Sequence, residues 1–243
     1  MSPEEVAISK SSQDKAQDDK VRDSVTLTRA DVEVLAQDTV FQGFFAVDKV
    51  TLRHRLFAGG WSGEFSRELF RRGRSVGVLL HDPVRSQLVL VEQFRVGLLR
   101  DERHSPWVLE LVAGMVDAGE QPHDVALREA HEETGLVIDQ VSYICEYYNS
   151  PGGSDECISL FYGQVDASGA HGIHGLATEN EDIRVKVMGL ADAWRRLDEG
   201  GFNNAMIIIA LQWLRLRLAD QAPASVQGNA PSNAPSKKGP AKP

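Results

Sequence analysis

The segment Gly114-Met-Val-Asp-Ala-Gly-Glu120, which continues to Arg128-Glu129-Ala-His-Glu132-Glu133-Thr-Gly135-Leu136, packs three glutamates into little more than one helical turn. Residues 123–134 have helical spacing, with Pro122 where the first turn tolerates it and Gly135 just past the end. On that helix Glu129, Glu132 and Glu133 stand at i, i+3 and i+4, so their carboxylates crowd one face. Like charges so placed destabilise an isolated helix by roughly 0.2–0.5 kcal/mol per pair. Only Glu132 has a helical partner, Arg128 four positions before it. A solvated acidic face is the ordinary explanation of such a helix. The frame argues otherwise: a strand at Trp107–Val112 ending at Ala113-Gly114, a tight loop with Gly119, then a helix stopped by Gly135. It aims a backbone carbonyl and several carboxylates at one point. An oxygen-rich site of this kind suits Mg²⁺ or Mn²⁺, and hard divalent ions held this way usually act on phosphates.

Around this segment the apolar patterning predicts a buried hairpin, Val76–Leu80 and Leu88–Phe94, turning at Asp82-Pro83. Further strands are expected at 141–148, 157–165 and 182–188, and closing helices at Leu190–Glu199 and Asn204–Leu218. Strands on both sides of a mid-chain helix, with helices at the end, predict an α+β domain with a mixed sheet between helical layers. Upstream, Val32-Glu33-Val34, the stretch Val40–Phe57 and Glu64–Phe70, with a turn at Gly59-Gly60, predict a small antiparallel β lobe. The expected organisation is a disordered tail over 1–24, the lobe over 25–72, the main domain over 73–220 and a second tail over 221–243, both tails polar and aperiodic.

Lys and Arg total 26 against 35 Asp and Glu, a net charge of −9, which argues against a protein that coats nucleic acid or anionic membrane. Residues 110–133 hold seven acids against one base, and Glu179, Glu181 and Asp182 add three more, so the excess falls on two segments. Cys145 and Cys157 lie in alternating apolar stretches and are expected as reduced thiols in strands. Met1–Lys20 has no apolar core for an export machinery, and the longest apolar run, Ala205–Leu214, is broken by Gln212 and too short to span a bilayer. A cytoplasmic protein that takes neither nucleic acid nor membrane is the expectation.

The acidic segment resembles a complete Nudix box: Gly, five residues, Glu, seven residues, Arg-Glu, an apolar position, any residue, Glu-Glu, any residue, Gly, apolar. Gly114, Glu120, Arg128, Glu129, Glu132, Glu133 and Gly135 fill the fixed positions, and Ala130 and Leu136 the apolar ones. The resemblance implies an α/β/α sandwich, the box forming loop-helix-loop, and metal-dependent hydrolysis of a nucleoside diphosphate linked to another group. Outside the box, Ser150-Pro-Gly-Gly153, Gly172–Arg184, Arg67-Glu68, Arg72, Gln93-Phe-Arg95 and Gly43-Phe-Phe45 resemble the bacterial ADP-ribose pyrophosphatases of that family, over roughly residues 30–218.

That resemblance implies Mg²⁺, with Mn²⁺ as a substitute, held by Glu129, Glu133, the Ala113 carbonyl and Glu181. Glu179 would be the general base, Glu132 would assist, and Arg128 would orient the box glutamates. ADP-ribose would be met by Arg67, Glu68, Arg72, Arg95, Met115, Ser150, Pro151, Gly152 and Glu156, with Phe44 and Phe45 near the adenine. The group also implies a homodimer whose N-terminal lobe helps build the partner's adenine site. The chemistry agrees with the residue types. A pyrophosphate diester repels hydroxide, so cations must neutralise its oxygens, arginines supply fixed positive charge, and a glutamate can take the proton. His171 and His174 lack a Cys or a third His to complete a zinc site and are expected as loop residues. The loop between Arg95 and Ala113 is about one residue longer than the group's pattern, and the N-terminal extension has no counterpart in it. Two alternatives stand beside this expectation. One is the same mechanism on another ADP-sugar, GDP-mannose or a dinucleotide. The other is a non-catalytic nucleotide-sugar sensor, against which the retained box glutamates speak.

Overall fold

The computed structural model describes residues 26–221, so the tail expected over 1–24 and nearly all of the one expected from 221 lie outside the described residues. Gln221 itself belongs to the last helix. Strands β1 (Val32–Gln42), β2 (Ala46–His54) and β3 (Phe65–Arg71) form an antiparallel sheet in that order. The stretch Val40–Phe57, expected as one extended run, is two strands with a tight turn between them, where the Gly43 N–H donates to the Phe45 carbonyl. Gly43 is the turn-forming residue here, and the two phenylalanines after it leave the apolar run almost unbroken in the sequence. Asp48 ties the sheet together from inside, accepting from Gln37 Nε2 at 2.6 Å and Thr39 Oγ1 at 2.8 Å beside Arg71 at 3.3 Å. By contrast β1 leaves the large apolar side chains of Val34, Leu35, Val40 and Phe41 exposed.

The second sheet comprises β4 (Arg74–Asp82), β5 (Gln87–Phe94), β6 (Trp107–Glu110), β7 (Val112–Met115), β8 (Val141–Tyr148), β9 (Cys157–Gln164), β10 (Ile173–His174) and β11 (Ile183–Gly189). Its main path is β10-β11-β5-β4-β9-β8, and it is mixed because β4 and β9 run parallel. The expected hairpin is present but pairs only over Leu80–Asp82 and Gln87–Val89, beyond which β4 and β5 part like a fork. Into the fork goes the segment expected as a single strand over Trp107–Val112. It enters as β6 against β5, turns at the fully buried Leu111, and leaves as β7 against β4. A run of alternating apolar residues does not reveal such a change of partner, because both halves keep the same period.

Helix α1 (Pro122–Thr134) covers one face of this sheet, packing Val125, Ala126 and Ala130 on Val76, Val78, Leu80, Val89, Val91 and Val112. Helices α2 (Leu190–Asp198) and α3 (Ala205–Gln221) cover the other, with Ile207, Leu211 and Leu214 against Leu79, Leu88, Leu90 and Leu160. The α/β/α sandwich follows from strands that are apolar on both faces, as β4 and β5 are. Gly77 is needed for the close approach of α3: a Cβ there would come within 2.8 Å of Leu160 Cδ2 and 2.9 Å of Met206 Cγ. Cys145 and Cys157 are free thiols. Among the described residues no helix is long and apolar enough to cross a membrane.

Candidate active site

The left-handed Gly135 (φ 70°) ends α1, its N–H returning to the His131 carbonyl at 2.8 Å, as a helix C-terminus requires. Within this helix Glu133 and Glu129 lie against Ala113 and Gly114 of β7. Glu133 is 2% exposed and accepts the Ala113 N–H at 3.2 Å. Along an extended strand the N–H and C=O of one residue point to the same edge, so the Ala113 carbonyl lies on the edge of β7 that Glu133 occupies. Glu129 lies against Gly114, where any side chain would occupy the space of its carboxylate. Arg128 spans the outer acids, with Nη1 at 2.9 Å from both Glu129 and Glu132 and Nη2 at 3.6 Å from Glu120. Glu120 in turn accepts the Asp117 N–H at 2.9 Å, which closes the loop between β7 and α1.

Glu181 arrives from across the sheet. Gly175 (φ 98°) leaves no room for a Cβ, which would lie 2.7 Å from Glu181 Cβ, and the Leu176 N–H donates to Glu181 Oε2 at 3.1 Å. Glu179 ends the short 3₁₀ turn Ala177–Glu179, directly before the left-handed Asn180, and its side chain lies outside the described residues. Burial pushes the Glu129 carboxyl up to about 7, against the pull of Arg128, and the nearby charges of Glu132 and Glu181 add to the rise. Burial likewise pushes Glu133 well above the carboxylate range; the Ala113 N–H opposes this, and Glu129 and Glu181 reinforce it. Two carboxylates raised by burial and a third near them, with a backbone carbonyl on the same strand edge, are a donor set fitted to a hard divalent cation. No three of the described Asp, Glu, His or Cys side chains stand in ligating geometry, and Glu129 Oε1 lies 2.9 Å from Arg128 Nη1.

A second group of candidates meets where the small sheet joins the large one. Phe70 N–H donates to the Gly153 carbonyl at 2.8 Å, and Asp155 accepts the N–H groups of Arg72 and Gly73 at 2.6 and 3.0 Å. This pins the loop containing Ser150, Pro151 and Gly152 to the end of β3. Arg72 stacks over the Phe45 ring at 4.1 Å and binds Glu156 Oε1 at 2.8 Å. Phe44, 85% exposed, meets Phe45 edge to face at 4.8 Å. Met115 is exposed at the end of β7. Arg67 and Glu68 keep to the lobe, the first over Phe65 at 4.6 Å and the second opposite Lys49 on β2.

Arg95, itself half-exposed, proves to be ion-paired to the buried Glu110. Its Nε and Nη2 reach Glu110 at 2.9 and 3.2 Å, and Asn204 Nδ2 donates to the same carboxylate at 3.3 Å. The charges of Glu133 and Glu181 also act on Arg95, which places its guanidinium beside the acidic cluster. Glu110 was counted in the sequence only as one more acid. Nothing in its spacing pointed to Arg95, because β6 comes to β5 only through the fork.

A NUDIX domain model matches residues 71–208, more than half of the chain. This chain belongs to the NUDIX family. An ADP-ribose pyrophosphatase of Escherichia coli strain K12 is 48% identical over 192 residues, 79% of this chain and 91% of that protein. One from Haemophilus influenzae is 45% identical over 194 residues, 79% of this chain and 89% of its own length. The NUDIX fold is shared with a crystal structure of an ADP compounds hydrolase, at a TM-score of 0.61 and 22% identity over 82% of this chain and 99% of that one. The matched range begins at Arg71, the last residue of β3, and includes the acidic helix α1 with its flanking loops.

Proposed function

We propose that this NUDIX hydrolase uses Mg²⁺ to cleave the pyrophosphate of ADP-ribose, giving AMP and ribose 5-phosphate. The observation that carries the reading is the meeting of Glu129, Glu133, Glu181 and the Ala113 edge in one fork, in a chain so similar to ADP-ribose pyrophosphatases. Glu129, Glu133, Glu181 and the Ala113 carbonyl would hold the ion, with Mn²⁺ as a substitute. When bound, a divalent ion neutralises phosphoryl oxygens and lowers the pKa of water.

Glu179 takes the proton from the attacking water as the new P–O bond forms and the P–O–P bridge breaks. Arg128 holds Glu129 and Glu132 against their mutual repulsion, and Glu132 assists from the outer face. Arg95, fixed by Glu110, adds positive charge beside the cluster, and Met115 borders the site. Arg72, Glu156 and the loop Ser150–Gly152 receive the nucleotide, whose adenine stacks near Phe44 and Phe45. Comparing kcat/KM for ADP-ribose and GDP-mannose tests the substrate: ADP-ribose should be preferred, and a preference for GDP-mannose by more than about tenfold would overturn this reading.

The working unit we infer is a homodimer in which the lobe, with Arg67 and Glu68, completes the second copy's site. The exposed apolar residues of β1, and an Arg67 that lies over Phe65 within the lobe, support this. Sedimentation equilibrium should give about twice the 26.7 kDa chain mass, and a monomer at assay concentration would contradict it. Free thiols and the lack of a membrane-crossing helix among the described residues fit action in the cytoplasm.

A further inference from the structure

Among the described residues three buried side-chain polar atoms have no hydrogen-bond partner: His81 Nε2, Tyr147 Oη and Gln93 Nε2. Such atoms are costly and call for a reason. His81 and Tyr147 belong to the face under α2 and α3, where His81 meets Tyr162 and Tyr147 packs into that core. Gln93 is different. Side chains alternate along β5, so Gln93 shares a face with Val89 and Val91, which lie in the core beneath α1. The next residue on that face is Arg95, still extended at φ −127° and ψ 109°, which feels the charges of Glu133 and Glu181. Across the strand pair stands Val108, which leads to the mouth of the fork. Gln93 is therefore the last residue between the apolar core and the acidic cluster, 6% exposed and with two N–H donors unused.

The cluster holds a matching deficit. Glu129 has Arg128, and Glu181 has the Leu176 N–H. Glu133 is the most buried of the three, yet accepts only the Ala113 N–H at 3.2 Å, although a carboxylate has room for about four donors. We propose that Gln93 is a positioning residue for the metal site: its amide would donate to the Glu133 carboxylate and fix the orientation of that carboxylate toward the cation the site would hold. A hydrogen bond to a metal-ligating carboxylate orients it and tunes its affinity. The Gln93 amide, which has no partner among the described side chains, is then a donor available to a ligating carboxylate. This inference rests on the metal placement proposed above.

The test compares wild type with Gln93→Met, which keeps the volume and removes the amide. Mn²⁺ binding, followed by electron paramagnetic resonance in the absence of substrate, should weaken about 10- to 100-fold. The melting temperature of the metal-free variant should stay the same or rise, because the lost donor had no partner to lose. A structural role alone would do the reverse, lowering the melting temperature and sparing Mn²⁺ affinity. Binding within about twofold of wild type in the folded variant would overturn the proposal while leaving the metal site intact. Absence of Mn²⁺ binding by wild type would overturn both. A second reading needs no variant: in wild-type protein the Gln93 side-chain ¹H–¹⁵N resonances should move downfield on adding Mg²⁺, and unchanged resonances in the loaded protein would also overturn it.

Discussion

Glu133→Gln is expected to lower hydrolysis of ADP-ribose by about a thousandfold, the several kcal/mol that a metal's charge contributes to a phosphoryl transition state. The fold should not suffer. Glu133 is buried with a single hydrogen bond, from the Ala113 N–H, which a glutamine carbonyl accepts equally well. What the substitution removes is a charge that burial opposes. The sign of the pH dependence follows from the raised carboxyls. The folded chain holds protons on Glu129 and Glu133 more tightly than the unfolded chain does, so this contribution to metal-free stability is full below about 4.5. It is lost as pH rises toward about 7 for Glu129, and beyond the ordinary carboxylate range for Glu133. The metal-free variant should therefore melt no lower than wild type at pH 7 and show a flatter pH profile, while the stabilisation by Mg²⁺ shrinks. Full hydrolysis by a folded Glu133→Gln protein would remove this residue from the site.

Gly114→Ala should cost about a hundredfold in kcat/KM through one methyl group, the scale of loss for a reacting group displaced by about 1 Å. Gly114 pairs with Val76 in β7, within a strand whose backbone any residue can adopt, so alanine brings no backbone strain. Its Cβ would fall on the Glu129 carboxylate, and Glu129, a flexible side chain at its far end, would move aside. The fold should be kept while Glu129, the metal ligand we propose, is displaced. Thermal melting should shift little while Mn²⁺ affinity drops in parallel with activity. Unaltered activity in this variant would mean that the Glu129 position seen against Gly114 has no part in catalysis.

These two positions also mark what the sequence makes legible. Glu129 and Glu133 were visible because helical spacing and two glycines place them on one face whatever surrounds them. The helix over 123–134 is α1 to within one residue. The strands over 141–148, 157–165 and 182–188 are found with small shifts at their ends, since each is bounded by polar or glycine residues that end an apolar run. Other features were hidden because they depend on partners rather than period. The turn at Leu111 follows from the parting of β4 and β5. The Arg95–Glu110 pair forms only because β6 enters that gap, and the orphaned amide of Gln93 appears only once the packing is known. The hairpin tip at Gly43–Phe45 escaped for a local reason, the two phenylalanines after Gly43 leaving the apolar run almost unbroken.

One measurement bears most directly on the whole: metal-free protein is given ADP-ribose, and AMP is followed as Mg²⁺ is titrated in and then removed with a chelator. AMP and ribose 5-phosphate should appear in equal amounts with Mg²⁺ and cease on chelation, because Glu129, Glu133 and Glu181 cannot neutralise a pyrophosphate without a cation among them. AMP formation undiminished by the chelator, or no AMP with any divalent metal, would contradict it.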